Sequence, residues 1–210
     1  MPHRKFHSAM MATLIASGRV DQWSRYSTGG AYTDAIQIGD YKVQLQDDGT
    51  DTRILLWNPT RPCLAMVLDN RDKVASLDSV HYSPECTVSG RMKRGEGTRA
   101  MITFALDILR QRGARTVQLM DNSSVVCNGV KVRLGLMYFF KTGQTWYETY
   151  FGFKPDSAHA DRYARAKTIQ KTLGLSEKPC DYFTDEVLDE LVLQTKLVFF
   201  PRIVWEKQLG

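Results

Sequence analysis

No stretch of this sequence is long and apolar enough to cross a bilayer. The longest apolar runs, Leu134 to Phe140 and Leu197 to Phe200, fall far short of the roughly 20 residues a span needs, so no membrane partner is expected. Cysteine is scarce as well: Cys63, Cys86, Cys127 and Cys180 lie far apart, with no C-x-x-C pair and no histidine at ligand spacing. That excludes a zinc or redox motif, so no metal site is expected, and the cysteines read as free thiols in a reducing, cytoplasmic setting. Linker composition is missing too. With 210 residues, 43% hydrophobic and no Pro-, Ser- or charge-rich divide, the expectation is a single domain over 1–210. The basic start Met1-Pro-His-Arg-Lys5 precedes Ala9 to Ala16, but Ser17-Gly-Arg19 is a poor cleavage site, so it reads as mature chain.

Two nucleotide signatures are also lacking. There is no G-x-x-x-x-G-K-[ST], and the Gly95-Glu-Gly97 pair is followed by Thr-Arg-Ala-Met rather than completing G-x-G-x-x-G. What is present is an excess of five positive charges and a pI near 9.0, which favours anionic partners: a phosphorylated cofactor, nucleic acid or an acidic surface.

Alternation of apolar and polar residues predicts antiparallel strands around Ile36–Ile38, Tyr41–Leu45, Arg53–Trp57, Cys63–Leu68 and Val74–Tyr82, with turns at Gly39-Asp40, Asp47-Asp-Gly49 and Asp69–Asp72. The pattern then changes period. Met101, Phe104, Ala105, Ile108 and Leu109 fall on one face of a helix, with Thr98 as its expected cap and Gly113 just past its end. A strand over Thr116–Met120 completes a β-α-β unit. Further on, Thr145–Phe151 reads as a short aromatic helix and Asp156 or Ser157 caps a helix to about Leu173. Thr184 caps another, and Lys196–Trp205 reads as a terminal strand or arm. The expected fold class is α/β: a central mixed, mostly antiparallel sheet flanked by helices. Its core lies at about 35–155, with a helical C-terminal addition at 156–210.

The segment Arg91-Met-Lys-Arg-Gly-Glu-Gly-Thr-Arg99 is the best candidate for chemistry. Two glycines at a helix start leave backbone N–H groups uncovered, and Arg91, Lys93, Arg94 and Arg99 supply charge, which together make an anion site; the alternative is a solvated basic turn.

Arg94-Gly-Glu-Gly97 leading into the helix, Gly113, the strand to Asp121 with Asn122, and Tyr147-Glu-Thr-Tyr-Phe-Gly-Phe153 resemble the GNAT superfamily of N-acetyltransferases over roughly Tyr41 to Pro155. The resemblance implies that Arg94, Gly95, Glu96, Gly97, Thr98 and Arg99 hold the diphosphate of acetyl-CoA. It also implies that Asn122 bonds cofactor or helix backbone and that Tyr147 protonates the departing thiolate. His81 or Asp78 would take the amine's proton; their separation of three places them on opposite faces of a regular strand, and His81 is the better base at neutral pH. Tyr150 is a lesser candidate, and Cys127 reads as a buried thiol. The implied acceptor is an amine-bearing small molecule or protein.

The sequence departs from the family pattern at Arg99, at the long Ser83–Lys93 approach, at Tyr147 lying five residues before Gly152, at the inserted Ser123–Gln144, and in two helices after Pro155. Leu134–Phe153 also resembles divergent acetyltransferase-like proteins of large DNA viruses, which implies a virion location. These departures support a competing expectation: a degenerate acetyltransferase fold acting in assembly or interaction, with nucleic acid as one partner class.

Overall fold

A computed structural model describes residues 36–57, 62–93, 95–197, 200 and 203–209. The helix expected over Phe6–Ala16, the Ser27–Tyr32 loop, the Asn58-Pro59 break and Arg94 lie outside them.

Five strands run as an antiparallel meander: β1 (Ile36–Ile38), β2 (Tyr41–Asp47), β3 (Asp51–Trp57), β4 (Pro62–Asp69) and β5 (Val74–Val80). Local chemistry explains the turns. The Asp47 carboxylate accepts the Gly49 N–H and that of Asp48 accepts those of Thr50 and Asp51, while Gly49 sits at φ 87°, where a side chain would be strained. Along β2, Tyr41, Val43 and Leu45 are buried, as the alternation requires.

Helix α1 (Glu96–Gln111) crosses to β6 (Thr116–Leu119), which pairs parallel with β5. It buries Met101, Ile102, Phe104, Leu106, Ile108 and Leu109 against the sheet, each contributing roughly 1.5–3 kcal/mol. Its end follows the sequence: the N–H of Gly113, at φ 80°, reaches Arg110 O, and that of Ala114 reaches Leu109 O. Its start does not. Gly95 occupies the cap position and Thr98 lies inside the first turn.

The inserted segment is a separate hairpin, β7 (Ser124–Cys127) and β8 (Val130–Arg133), followed by α2 (Leu134–Thr142). Next come α3 (Trp146–Phe151), β9 (Lys154–Pro155), α4 (Ala160–Gln170), α5 (Asp185–Gln194) and β10 (Trp205–Gln208). Helix α4 runs from Ala160, and in the turn before it the Asp156 carboxylate accepts the His159 N–H, the bond expected of a cap, and also the Val204 N–H.

The main sheet has the order β1-β2-β3-β4-β5-β6-β10-β9. The addition after Pro155 is helical, but the chain returns. β10 lies antiparallel between β6 and β9, and Trp205 is completely buried, so the sheet does not close at Pro155.

The free-thiol reading is overturned. Cys63 is joined to Cys86 and Cys127 to Cys180, each with Cα atoms 5.7 Å apart. The folding brings the start of β4 against the turn at Pro84–Cys86, and the tip of the hairpin against the turn at Cys180–Tyr182, across 23 and 53 residues of chain.

Candidate functional site

The parallel pairing of β5 and β6 covers only Val74–Ser76 against Thr116–Gln118. Beyond it β5 continues to Val80 on β4 alone, while β6 has one further residue, Leu119, and pairs with β10 on its other edge along its whole length. The pairing therefore ends there, and the edge of β5 from Leu77 onward has no strand beside it on the β6 side among the described residues.

A bulge lies next to that end. Ala65 pairs with Ser79 and Met66 with Leu77, so Asp78 is the extra residue on β5. The bulge interrupts the regular alternation on which the opposite faces expected for Asp78 and His81 depend; Leu77 and Val80, three apart across it, lie opposite Met66 and Leu64. Asp78 is exposed and accepts the Ser76 hydroxyl at 2.6 Å. His81, half-buried just past the strand, donates its N–H to Cys63 O at 2.7 Å.

The long approach to the glycine loop is a fastened strap. The Asp40 carboxylate accepts the N–H and hydroxyl of Ser89 at 2.8 Å each, Cys86 is bridged to β4, and the Tyr82 hydroxyl bonds Met92 O at 3.0 Å. Met92 is buried beneath Gly97. A Cβ on Gly97 would collide with Met92 Cγ and lie 3.2 Å from Cε, so that glycine is required by packing whatever else it does. Gly95 is required by its φ of 77°.

Amide accounting narrows the anion site. The Gly97 N–H donates to Lys93 O at 2.7 Å and that of Arg99 to Gly95 O at 3.0 Å, so neither projects from the loop as expected. Glu96 and Thr98 lie in the same first turn, and Arg91 and Lys93 are exposed before it. Arg99 points elsewhere: its guanidinium lies 4.5 Å from the centre of the Tyr150 ring, and Tyr150 in turn meets the Tyr138 hydroxyl at 3.2 Å. Burial and that bond push the Tyr138 phenol up to about 12. The glycine-loop helix is thus joined to α3 by a cation stacked on an aromatic ring.

Helix α3 begins at a capping box in which Thr145 Oγ accepts the Glu148 N–H and the Glu148 carboxylate accepts the Thr145 N–H. Glu148 faces α4. Tyr147 faces inward, 8% exposed, among Trp146, Phe151 and Phe153. Burial first, then the charge of Asp121, holds its phenol well above the ordinary range. Asn122 is exposed and its N–H bonds Met120 O, which makes it a turn residue in this state.

Asp121 is the residue sequence reasoning missed. It follows β6, with its carboxyl desolvated and raised above the usual carboxylate range by burial, against two opposing bonds from Ser123. The signal available was an Asp ending an apolar strand two residues before a Ser, which reads equally as a turn.

No protein-family model matches the chain, and no curated protein is similar to it. A solved structure described as the crystal structure of nourseothricin acetyltransferase is similar at 16% identity over 45% of this chain, with a TM-score of 0.22. The match spans 63% of that protein's length. A likeness this loose identifies neither activity nor family, and nothing in these comparisons points to a virus.

Proposed function

We propose that the chain transfers an acyl group from an acyl-CoA, acetyl-CoA being the simplest donor, to an amine. The observation that carries this reading is the end of the β5–β6 pairing next to a bulge in β5, with a glycine-started helix following β5. An unpaired strand edge suits an extended, amide-bearing arm, which bonds to backbone as a further strand does. The basic helix start suits its phosphates.

The donor supplies a thioester carbonyl. The chain aligns donor and amine, and His81 or Asp78, at the β5 end of the gap, takes the amine's proton. Tyr147 returns a proton to the departing sulfur. Glu96 and Thr98 in the first turn, with Arg91, Lys93 and Arg94, are the groups that hold the diphosphate. Asn122 contributes only if its turn rearranges.

Titration calorimetry with acetyl-CoA tests the reading. Binding with a raised melting temperature is expected, and the absence of both overturns it. Arg91→Ala with Lys93→Ala is the cleaner loop test, because both side chains are exposed: affinity should fall and lose salt dependence at an unchanged melting temperature. Gly97→Val cannot serve, since it strikes Met92.

The second reading, a binding or assembly protein on the same fold, is favoured by one observation. The Gly97 amide is already bonded and Arg99 is already stacked, which leaves a smaller anion site than the loop's sequence suggests. Retention on immobilised DNA that weakens with salt, without acetyl-CoA binding, would select its nucleic-acid form.

A further inference from the structure

The end of β5 is the least supported part of the sheet around the site. Beyond Ser76 it has β4 on one side and no strand on the other among the described residues, and the bulge at Asp78 breaks its ladder just before His81. A strand end held along one edge opens easily. A group that takes a proton from a substrate must nevertheless be kept within hydrogen-bond reach of it.

His81 is clasped at both ends of its backbone. Its N–H donates to Cys63 O at 2.7 Å, and its carbonyl oxygen lies 3.5 Å from Cys86 Sγ. Cys63 and Cys86 are the two halves of one buried disulfide. The chain from His81 to Cys86 is therefore a short loop with both ends fixed to Cys63, one by a hydrogen bond and the other covalently. Its turn is local: Ser83 Oγ accepts the Glu85 N–H at 3.3 Å and Ser83 O that of Cys86 at 3.0 Å. Asp78 has no such clasp. It is exposed on the bulge, where its carboxylate accepts the Ser76 hydroxyl.

The same bridge steadies the glycine loop. Past Cys86, the Val88 N–H reaches Asp40 O and Ser89 bonds the Asp40 carboxylate. Tyr82, next to His81, donates its hydroxyl to Met92 O, and Met92 fills the space beneath Gly97. Bonded contacts thus run from Cys86 to His81 in one direction and to the start of α1 in the other.

We propose, on the acyl-transfer reading above, that His81 rather than Asp78 is the base, and that the Cys63–Cys86 disulfide positions it against the glycine loop. The cysteines touch neither reactant and act through His81 and the strap, so they are positioning residues. The step they serve balances. The amine N–H bond breaks and its proton passes to the imidazole, while the nitrogen pair forms the C–N bond to the thioester carbon. The C–S bond then breaks, the sulfur leaves with its electron pair and is protonated, and the imidazolium returns its proton to solvent.

Cys63→Ala with Cys86→Ala removes the bridge and keeps the Cys63 carbonyl as an acceptor. In the full chain without ligand, hydrogen exchange of the His81 amide should quicken while α4 keeps its protection. With acetyl-CoA and a panel of primary amines, C63A/C86A should lower kcat about 10- to 100-fold, the scale of a displaced reacting group, and raise the acetyl-CoA KM. Other variants separate the two effects. Tyr82→Phe loosens the strap with the bridge intact, so the acetyl-CoA KM should rise and kcat stay near the parent's. His81→Gln should lower kcat at unchanged acetyl-CoA KM, and C63A/C86A in the H81Q background should lower kcat no further.

A further fall in that background, a loss of protection spread evenly over the chain, or Asp78→Asn costing as much kcat as H81Q overturns the proposal and leaves the acyl-transfer reading standing. A parent chain that binds no acetyl-CoA overturns that reading instead, and the base role with it. Should C63A/C86A not fold, Y82F decides: a kcat reduced to the H81Q level means that the bridge does not hold His81, and a parental kcat with a raised KM supports it.

Discussion

Two half-buried carboxyl residues, Glu148 on α3 and Asp121 just after β6, are met in different ways. Toward α4, Glu148 is saturated: its oxygens accept the Thr145 N–H at 3.3 Å, the Tyr163 hydroxyl at 2.7 Å and the Lys167 ammonium at 2.5 Å. Toward the end of β6, Asp121 has Oδ1 bonded to Ser123 and Oδ2 bonded to nothing described. Burying polar groups is inexpensive when every lone pair is answered and costly when one is not. The saturated carboxyl is therefore scaffold, and it fixes the helix that carries Tyr147. The unsaturated one is a desolvated acid at the end of β6, which has no purpose in packing.

The comparison breaks most visibly at the Cys127–Cys180 bridge. It ties down the hairpin that begins just after Ser123, while no bridge touches the helix of Glu148. A loop of 53 residues closed by a disulfide is worth about 4 kcal/mol in the chain-entropy account. Cys127→Ser with Cys180→Ser should lower stability by about that much. Hydrogen exchange should quicken in Ser124–Arg133 before it changes in α4. Equal loss of protection around both carboxyls would show that they belong to one unit.

Next in size is Glu148→Ala, which removes the capping box, the Lys167 ion pair and the acceptor of the Tyr163 hydroxyl together. Breaking a largely buried pair leaves Lys167 without its counter-ion, and a loss of about 3 kcal/mol in chemical denaturation is expected. Glu148→Gln keeps acceptors and should lose less. A cost under about 0.5 kcal/mol for the alanine variant, the scale of an exposed substitution, would contradict the scaffold role.

Gly135→Ala acts on the other carboxyl. The new methyl meets the Asp121 carboxyl and Phe200, and overpacking of this kind costs about 2 kcal/mol. It should also displace Asp121, so that G135A combined with D121N costs less than the two separate changes added. Strict additivity would separate the glycine from the carboxyl.

Much of this was legible from the residues. The meander follows from alternation and from turns such as Asp47-Asp-Gly49, and α1 from its apolar face and Gly113. The rest depended on partners remote in sequence. β10 is four residues with one large apolar side chain, and it becomes a strand because β6 and β9 offer edges on both sides. The disulfides required knowing which loops meet. The bulge at Asp78 is a mismatch between two strands and is written in neither. Gly97 reads as a phosphate glycine, and its second duty beneath Met92 depends on how the strap folds back. Asp121 was passed over because a carboxylate after a strand is ordinarily solvated, and only the seating of α2 over it encloses the group.

The smallest effect is the most diagnostic of the two carboxyls, since it concerns sign. The folded chain holds the Asp121 proton more tightly than the unfolded chain, whose carboxyl titrates near the ordinary value of about 3.9. Above that pH the unfolded state has released the proton and the folded state has not, so stability falls as pH rises until the folded value is passed. D121N has no such proton. Its stability relative to the parent should rise across that window, by on the order of 1 kcal/mol, the scale of one unmet buried acceptor. Asp156 provides an opposite slope in the same molecule. Burial pushes its carboxyl up, but the bonds and charge of His159 outweigh that and hold it below the usual range. Its contribution is present above the ordinary carboxylate value and is lost as pH falls through the depressed one. Urea denaturation of the parent, D121N and Asp156→Asn across acidic to neutral pH should therefore give two difference curves of opposite slope. A D121N curve parallel to the parent's would mean that the carboxyl is ionised in the folded chain, with Oδ2 answered by a donor that the static arrangement does not hold.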